Sequence, residues 1–271
     1  MNSGAHIHSL YVYPVKSCAG IAQASARLAA TGFAHDREWM IVTPEGQFLT
    51  QREAPRMALI ATRLGRGTLQ LSTPAGKAPP LPLDHEGARC EVTVWRSRCP
   101  AFDAGDVPAA FLSDWLHRPV RLVRFDPAGE RLSSREWTGE ISAPNLFSDG
   151  YPLLVLSVAS VADLNRRVGR DLPMNRFRPN LVITGVPAYT EDTGSELDAG
   201  EVALRLTKPC TRCAITTTDQ HTGARDGEEP LRTLKTYRFD RELHGVTFGR
   251  NAVILRGQGG SLAVGQPVVL R

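Results

Sequence analysis

Lysine is scarce in this chain of 271 residues: of 32 basic residues only Lys16, Lys77, Lys208 and Lys235 are lysine, and the rest are arginine. Net charge is only +4, too mild a balance to indicate a nucleic-acid binder, so a basic single-strand binder with OB-like strands is disfavoured. Cysteine is also sparse. Cys18, Cys90, Cys99, Cys210 and Cys213 are too few for a disulfide scaffold, and an odd number leaves at least one free thiol, which suits a reducing compartment. No stretch approaches the ~20 apolar residues of a membrane span, and the start Met-Asn-Ser-Gly-Ala-His-Ile-His lacks a secretory pattern. These absences lead to the expectation of a cytoplasmic protein that neither enters a membrane nor binds nucleic acid. Gly-x-Ser-x-Gly, the Rossmann fingerprint and iron–sulfur cysteine spacings are missing too, which argues against ordinary hydrolases, dehydrogenases and ferredoxins.

What is present is a run of short segments rich in β-branched and aromatic residues, divided by glycine and proline. Ile7–Tyr13, Trp39–Thr43, Thr68–Leu71, Val92–Trp95 and Val120–Phe125 read as strands in the first half. Leu153–Leu156, Leu181–Thr184, Val202–Leu206, Ala214–Thr218, Ala252–Leu255 and Pro267–Leu270 read likewise in the second. Pro44-Glu45-Gly46 predicts a hairpin turn between Met40–Val42 and Phe48–Thr50. Two helices are expected. One runs from Val107 to Leu116, capped by Asp106, with Pro108 in its first turn. The other begins near Ser160, with Ser160 and Asp163 as a capping box. The fold class is therefore mostly β with a few helices, barrel or sandwich in texture. The polar stretch from Asp126 to Pro144 is a candidate boundary or active-site loop, and the domain break falls near residues 120–125.

The sharpest chemical feature is Lys208-Pro209-Cys210-Thr211-Arg212-Cys213. Two thiols three residues apart can bind a soft metal or form a redox disulfide, and flanking Lys208 and Arg212 favour the thiolate. The spacing alone leaves open two merely buried cysteines. A zinc site would need a second ligand pair, which Cys90 and Cys99 are too far apart to supply. Asn175-Arg176-Phe177-Arg178-Pro179-Asn180 could hold an anion and hydrogen-bond a planar heterocycle, or be a solvated loop. Pro14-Val15-Lys16-Ser17-Cys18-Ala19-Gly20 offers an ammonium, a hydroxyl and a glycine just after a strand, without the glycines of a Walker loop. Arg37, in Asp36-Arg37, is a candidate anion contact or an ordinary ion pair. His6 and His8 share a strand face but add little.

Taken in order, Tyr13-Pro14-Val15-Lys16-Ser17, Asp36-Arg37, Phe147 to Pro152, Phe177-Arg178-Pro179-Asn180, Lys208 to Cys213 with Thr216-Thr217, and Phe248-Gly249-Arg250-Asn251 resemble the MOSC-domain proteins that carry an N-terminal MOSC β-barrel domain. The likeness spans nearly the whole chain. It is nearest to the group of amidoxime-reducing components and bacterial reductases of N-hydroxylated bases, and more distant from the C-terminal domain of molybdenum cofactor sulfurases.

The resemblance implies a MOSC-type β-barrel core at 123–271 preceded by a β-rich, barrel-like domain at 1–122. It implies a molybdenum–molybdopterin cofactor with Cys213 as the catalytic thiolate on the metal, and Cys210 as a neighbour. Lys16, Ser17, Arg37, Arg178 and Asn180 would bind phosphate and pterin, Thr211 and Arg212 would contact the cofactor, and Asn251 lies where contacts in the family are less uniform. Ser148, Asp149 and Gly150 would form a loop beside the site. Pyridoxal phosphate binding enters only as a description attached to the family. The implied activity is reduction of small N-hydroxylated substrates. With Tyr13 opening the first motif, the expectation is a chain without the membrane anchor of mitochondrial members, and no cysteine follows Cys213 to hold a cluster. Electrons would therefore come from a separate protein of ferredoxin or flavin-reductase type. The alternative function is a carrier of the cofactor, or a sulfur-transfer module bearing a persulfide on Cys213.

Overall fold

The computed structural model describes residues 4–271. Among them the largest element is a nine-stranded sheet. Its strands run in the order Ile21–Gln23, His6–Val12, Leu181–Thr184, Leu153–Ser157, Gly245–Arg256, Val202–Thr211, Glu196–Ala199 and Val269–Leu270, with Phe239–Asp240 as a branch on Gly245–Arg256. Leu153–Ser157 and Leu181–Thr184 pair in parallel, and helix Val158–Val168 lies in the crossover that a parallel connection requires. A second sheet joins Arg89–Val94, Ser97–Asp103, Arg121–Phe125 and Trp39–Val42. Two smaller sheets complete the strands. The expected mostly-β fold with a few helices is what the chain adopts.

The barrel expectation needs refinement, because the nine-stranded path is open between Ile21–Gln23 and Val269–Leu270. Backbone hydrogen bonds from Ile7 N to Gln266 O (2.9 Å) and from Val268 N to Ala5 O (2.9 Å) draw the C-terminal segment against the first strand. They do not make a continuous ladder: His6 and Pro267 form an isolated bridge, and proline has no N–H to donate.

The sheet crosses the two halves of the chain. Ile7 pairs with Ile183 and Leu10 with Leu181 in it, and in a separate three-stranded sheet Leu262 pairs with Ala26. Ile7, Leu10, Leu28 and Phe33 are accordingly buried in one core with Val155, Leu204 and Ala252. A separate core under the N-terminal half gathers Trp39, Ile41, Met57, Leu69, Leu112 and Leu122. Each buried leucine, isoleucine or phenylalanine contributes ~1.5–3 kcal/mol by leaving water, so both cores are substantial.

Several local expectations change. Ala214–Thr217 is a 3-10 turn, not a strand. Its β-branched residues favour a strand, but Thr216 Oγ1 donates to Cys213 O (2.9 Å) and Thr217 Oγ1 to Ala214 O (2.8 Å), so the hydroxyls satisfy the carbonyls of the turn. The helix expected near Ser160 begins at Val158, and its cap is Ser157, whose hydroxyl accepts from Ser160 N at 3.0 Å. With the cap at Ser157, Asp163 lies one turn too far into the helix for a capping box, and its carboxylate is engaged by Arg166, Arg167 and Tyr189. The first helix, Asp106–Leu116, has Gly105 at its N-cap; Asp106 sits in the first turn and pairs with Arg121 at 2.7 Å. The turn at Gly46 forms, yet its returning arm makes only isolated bridges, Phe48 to Val42 and Gln47 to Thr93.

Among the described residues, no helix is long and apolar enough to cross a membrane.

Candidate functional site

Lys16, Ser17, Arg37, Arg178, Asn180, Thr211, Arg212, Cys213 and Asn251, singled out from five separate stretches of sequence, all line one cavity of about 110 Å³. The geometry begins at the end of strand Val202–Thr211. Its ladder with Gly245–Arg256 slips twice around Pro209, because proline cannot donate to it and bulges take up the slack. Beyond the slip, Arg212 N is anchored to Val246 O (2.8 Å), and Cys213 leads into the 3-10 turn. The end of the strand thus points the Thr211-Arg212-Cys213 run across the cavity. Asn251, on the neighbouring strand, ties its amide nitrogen to Lys208 O at 3.0 Å.

The opposite wall is built on backbone that side chains rarely adopt. Ser17, Arg37 and Arg178 all have positive φ, at 64°, 49° and 56°. Left-handed conformations cost non-glycine residues ~1–3 kcal/mol each, and such strain gathers where side chains are aimed at a ligand. Tyr13 organises this wall. The Arg37 and Arg178 guanidinium groups lie 4.2 Å and 4.3 Å from its ring centroid, and its hydroxyl donates to Pro179 O. Burial pushes the Tyr13 phenol up to about 12, so it stays neutral. The ring also explains Gly20: a Cβ there would come within 2.4 Å of the Tyr13 Cε1.

Asn180 serves this wall from within. Its Oδ1 accepts from Arg37 Nη1 (2.9 Å) and Leu154 N (3.2 Å), and its Nδ2 donates to Tyr11 O (3.2 Å). Arg178 Nη1 donates to Cys18 O at 2.7 Å, and burial lowers its pKa to about 10. Its Nη2 is buried without a partner, as is Nε of Arg212. The other Arg212 nitrogens reach Cys210 Sγ (2.9 Å) and Phe177 O (2.7 Å).

Lys16 is almost wholly buried, and its Nζ donates to Phe147 O (2.8 Å) and Asp149 Oδ1 (2.5 Å). Burial lowers the Lys16 pKa, opposed by Asp149. Desolvation works against the Asp149 anion, yet the Lys16 ammonium and the Trp95 indole N–H hold that carboxyl below its usual range. The loop carrying Asp149 is gripped by Arg131, which donates to Leu146 O (2.8 Å) and Ser148 O (2.7 Å). Arg131 belongs to the polar stretch that the sequence marks as a candidate boundary or active-site loop.

Two neighbours of the site carry no sequence signal. Arg52 Nη1 lies 3.9 Å from Cys213 Sγ, so the guanidinium facing that sulfur belongs to Arg52, while Arg212 turns to Cys210. Arg225 holds the Arg52 turn in place, donating to Gln51 O (3.0 Å) and Arg52 O (2.9 Å) and also to Thr218 Oγ1. Trp95 donates from its indole to Asp149 Oδ1 at 3.1 Å.

A molybdenum–molybdopterin group can be tested against these residues. Buried donors without partners, Arg178 Nη2 and Arg212 Nε, suit a phosphate-bearing anion, which offsets the cost of leaving charged nitrogens dry. Cys213 offers a soft sulfur in the same cavity. The donor set fits.

The chain matches two family models, the MOSC N-terminal beta barrel domain at residues 4–119 and the MOSC domain at residues 143–269. It is 35% identical to mitochondrial amidoxime-reducing component 1 of Homo sapiens and, equally, to that of Mus musculus. It is 32% identical to mitochondrial amidoxime reducing component 2 of Rattus norvegicus. Each alignment takes in 97% of this chain and 82% of the relative. With both family domains matched and identity sustained over nearly its whole length, the chain belongs to the MOSC-domain proteins with an N-terminal MOSC β-barrel domain, the family of the amidoxime-reducing components.

Proposed function

We propose that this protein is a molybdenum cofactor-dependent oxidoreductase that reduces small N-hydroxylated compounds, such as amidoximes and N-hydroxylated bases, with electrons from a separate protein of ferredoxin or flavin-reductase type. The observation that carries the reading is the cavity itself: Cys213 shares it with two arginines that keep buried donors unpartnered. When bound, molybdenum–molybdopterin supplies the two-electron redox chemistry; the protein supplies binding, orientation and electrostatics.

The chain's own residues divide that work. Cys213 would hold the metal as the single protein thiolate, a soft anionic ligand. A pterin dithiolene would supply further sulfur ligands to the metal beside that thiolate. Lys16, Ser17, Arg178, Thr211 and Arg212 hold the phosphate and pterin, with Asn251 at the edge. Arg37 does so from the position that its ion pair with buried Asp36 (2.5 Å) and its hydrogen bond to Asn180 give it. Asp149, kept ionised by Lys16, presents a carboxylate acceptor beside the cavity for an N–OH or amidine N–H.

The test is chemical analysis of protein made in a host able to synthesise the cofactor. Near-stoichiometric molybdenum and pterin are expected, together with reduction of benzamidoxime by an artificial low-potential donor. Protein free of both molybdenum and pterin under those conditions would sink the proposal. Protein that turns over no N-hydroxylated compound and carries a thiol-labile sulfur on Cys213 in place of the metal would move the assignment to a sulfur carrier.

A further inference from the structure

Trp95 is anomalous in two independent ways. It opens the two-residue loop between the paired Val94 and Ser97, at a φ of 55°, where hairpins favour glycine or asparagine over a bulky aromatic. It is also 48% exposed, whereas Trp39 is wholly buried. An aromatic side chain held out to solvent on strained backbone gains nothing from the core.

Its surroundings place it at the rim of the cofactor cavity. The indole N–H donates to Asp149, which lines that cavity. The Arg52 guanidinium lies 4.5 Å from the Trp95 ring centroid, and the same guanidinium reaches to 3.9 Å from Cys213 Sγ. Phe48 supports the indole from the side, with ring centroids 5.2 Å apart at 51°. Asp149 and Arg225 therefore fix both contacts of the indole, Asp149 directly and Arg225 through the Arg52 turn.

We infer that Trp95 is a specificity-determining residue, an aromatic shelf on which the planar aryl or heteroaryl part of a substrate stacks while its N-hydroxylated end enters toward Cys213. This rests on the proposed reductase function and narrows its substrate class to conjugated, planar amidoximes and N-hydroxylated bases. An amidine product also suits the shelf, because its cation is attracted to the face of an indole and to the Asp149 carboxylate.

The experiment compares benzamidoxime with acetamidoxime, which share the reacting group and differ in the ring. In wild type, benzamidoxime is expected to have the higher kcat/KM. Trp95→Ala should cut the benzamidoxime-to-acetamidoxime ratio about tenfold, chiefly through KM, and Trp95→Phe should restore most of it. Without turnover, benzamidine should quench tryptophan emission saturably in wild type and not in Trp95→Phe. An equal loss on both oximes, or quenching that survives Trp95→Phe, overturns the inference. If molybdenum-loaded wild type reduces neither oxime, it is the reductase reading that falls, and the quenching comparison decides the shelf by itself.

Discussion

Two hollows of the molecule differ sharply. One, of about 640 Å³, lies between helix Val158–Val168 and the first strand and is lined by His8, Tyr11, Arg166, Arg170 and Met174 among others. The other, of about 110 Å³, holds Cys213. The larger hollow looks the better binding site until its charges are followed. Arg166 is 74% exposed and paired with Asp163; Arg170 is 43% exposed and paired with Asp226. Both guanidinium groups are open to water and already paired, so they leave nothing for a ligand to satisfy. In the smaller hollow Lys16 is buried, three residues sit on strained backbone, and two guanidinium groups keep unpaired nitrogens. Unsatisfied, desolvated donors mark a site better than volume does.

Perturbing each hollow in turn tests the contrast. The largest expected effect is at Cys213: Cys213→Ser should abolish reduction of benzamidoxime, beyond the ~10–100-fold that losing an outer-shell partner of a metal costs, with far-UV circular dichroism unchanged. Next is Arg178→Met. Losing a charge-assisted donor worth ~1.5–3 kcal/mol should lower cofactor retention ~10–100-fold, read as molybdenum per protein after gel filtration. Retention equal to wild type would show that the unpartnered Arg178 Nη2 has no ligand to meet.

A smaller effect is expected on the other side of the comparison. Hydrogen bonds from Tyr189 and Arg167 depress the Asp163 pKa to about 2, below an ordinary ~3.9. A carboxyl depressed in the folded state stabilises above its unfolded pKa, and that contribution is lost as pH falls from about 4 to 2. Asp163→Asn should therefore melt below wild type at pH 6, with the gap closing toward pH 2, while molybdenum content stays constant. The smallest change belongs to Arg170→Ala, which should alter kcat/KM by less than ~twofold, since it removes only a surface pair. A tenfold loss there would make the larger hollow a working part of the protein.

Legibility in the sequence followed locality. The Pro14 to Gly20 segment, Phe177-Arg178-Pro179-Asn180 and Lys208 to Cys213 could be picked out because each packs several chemical groups into a few residues. Strands such as Leu153–Ser157 and Leu181–Thr184 were legible from apolar, β-branched runs bounded by turn formers. Thr216 and Thr217 misled because β-branching is a weak preference, and hydroxyl bonds to Cys213 O and Ala214 O outweigh it. Arg52 and Trp95 were not legible at all. Arg52 meets Cys213 across 161 residues and Trp95 meets Asp149 across 54, and neither lies in a motif.

By itself, then, the sequence determined the β-rich class and picked out residues that line the Cys213 cavity, since these depend on periodicity and on chemistry carried within short segments. Only the tertiary structure decided that His6–Val12 and Ile21–Gln23 join the nine-stranded sheet, that Asp36 and Asn180 together orient Arg37, and that Arg52 faces Cys213 while Arg212 turns to Cys210. Those pairings arise from long-range strand register and from which buried donors find acceptors. Such terms are settled when the whole chain packs, and no local pattern encodes them.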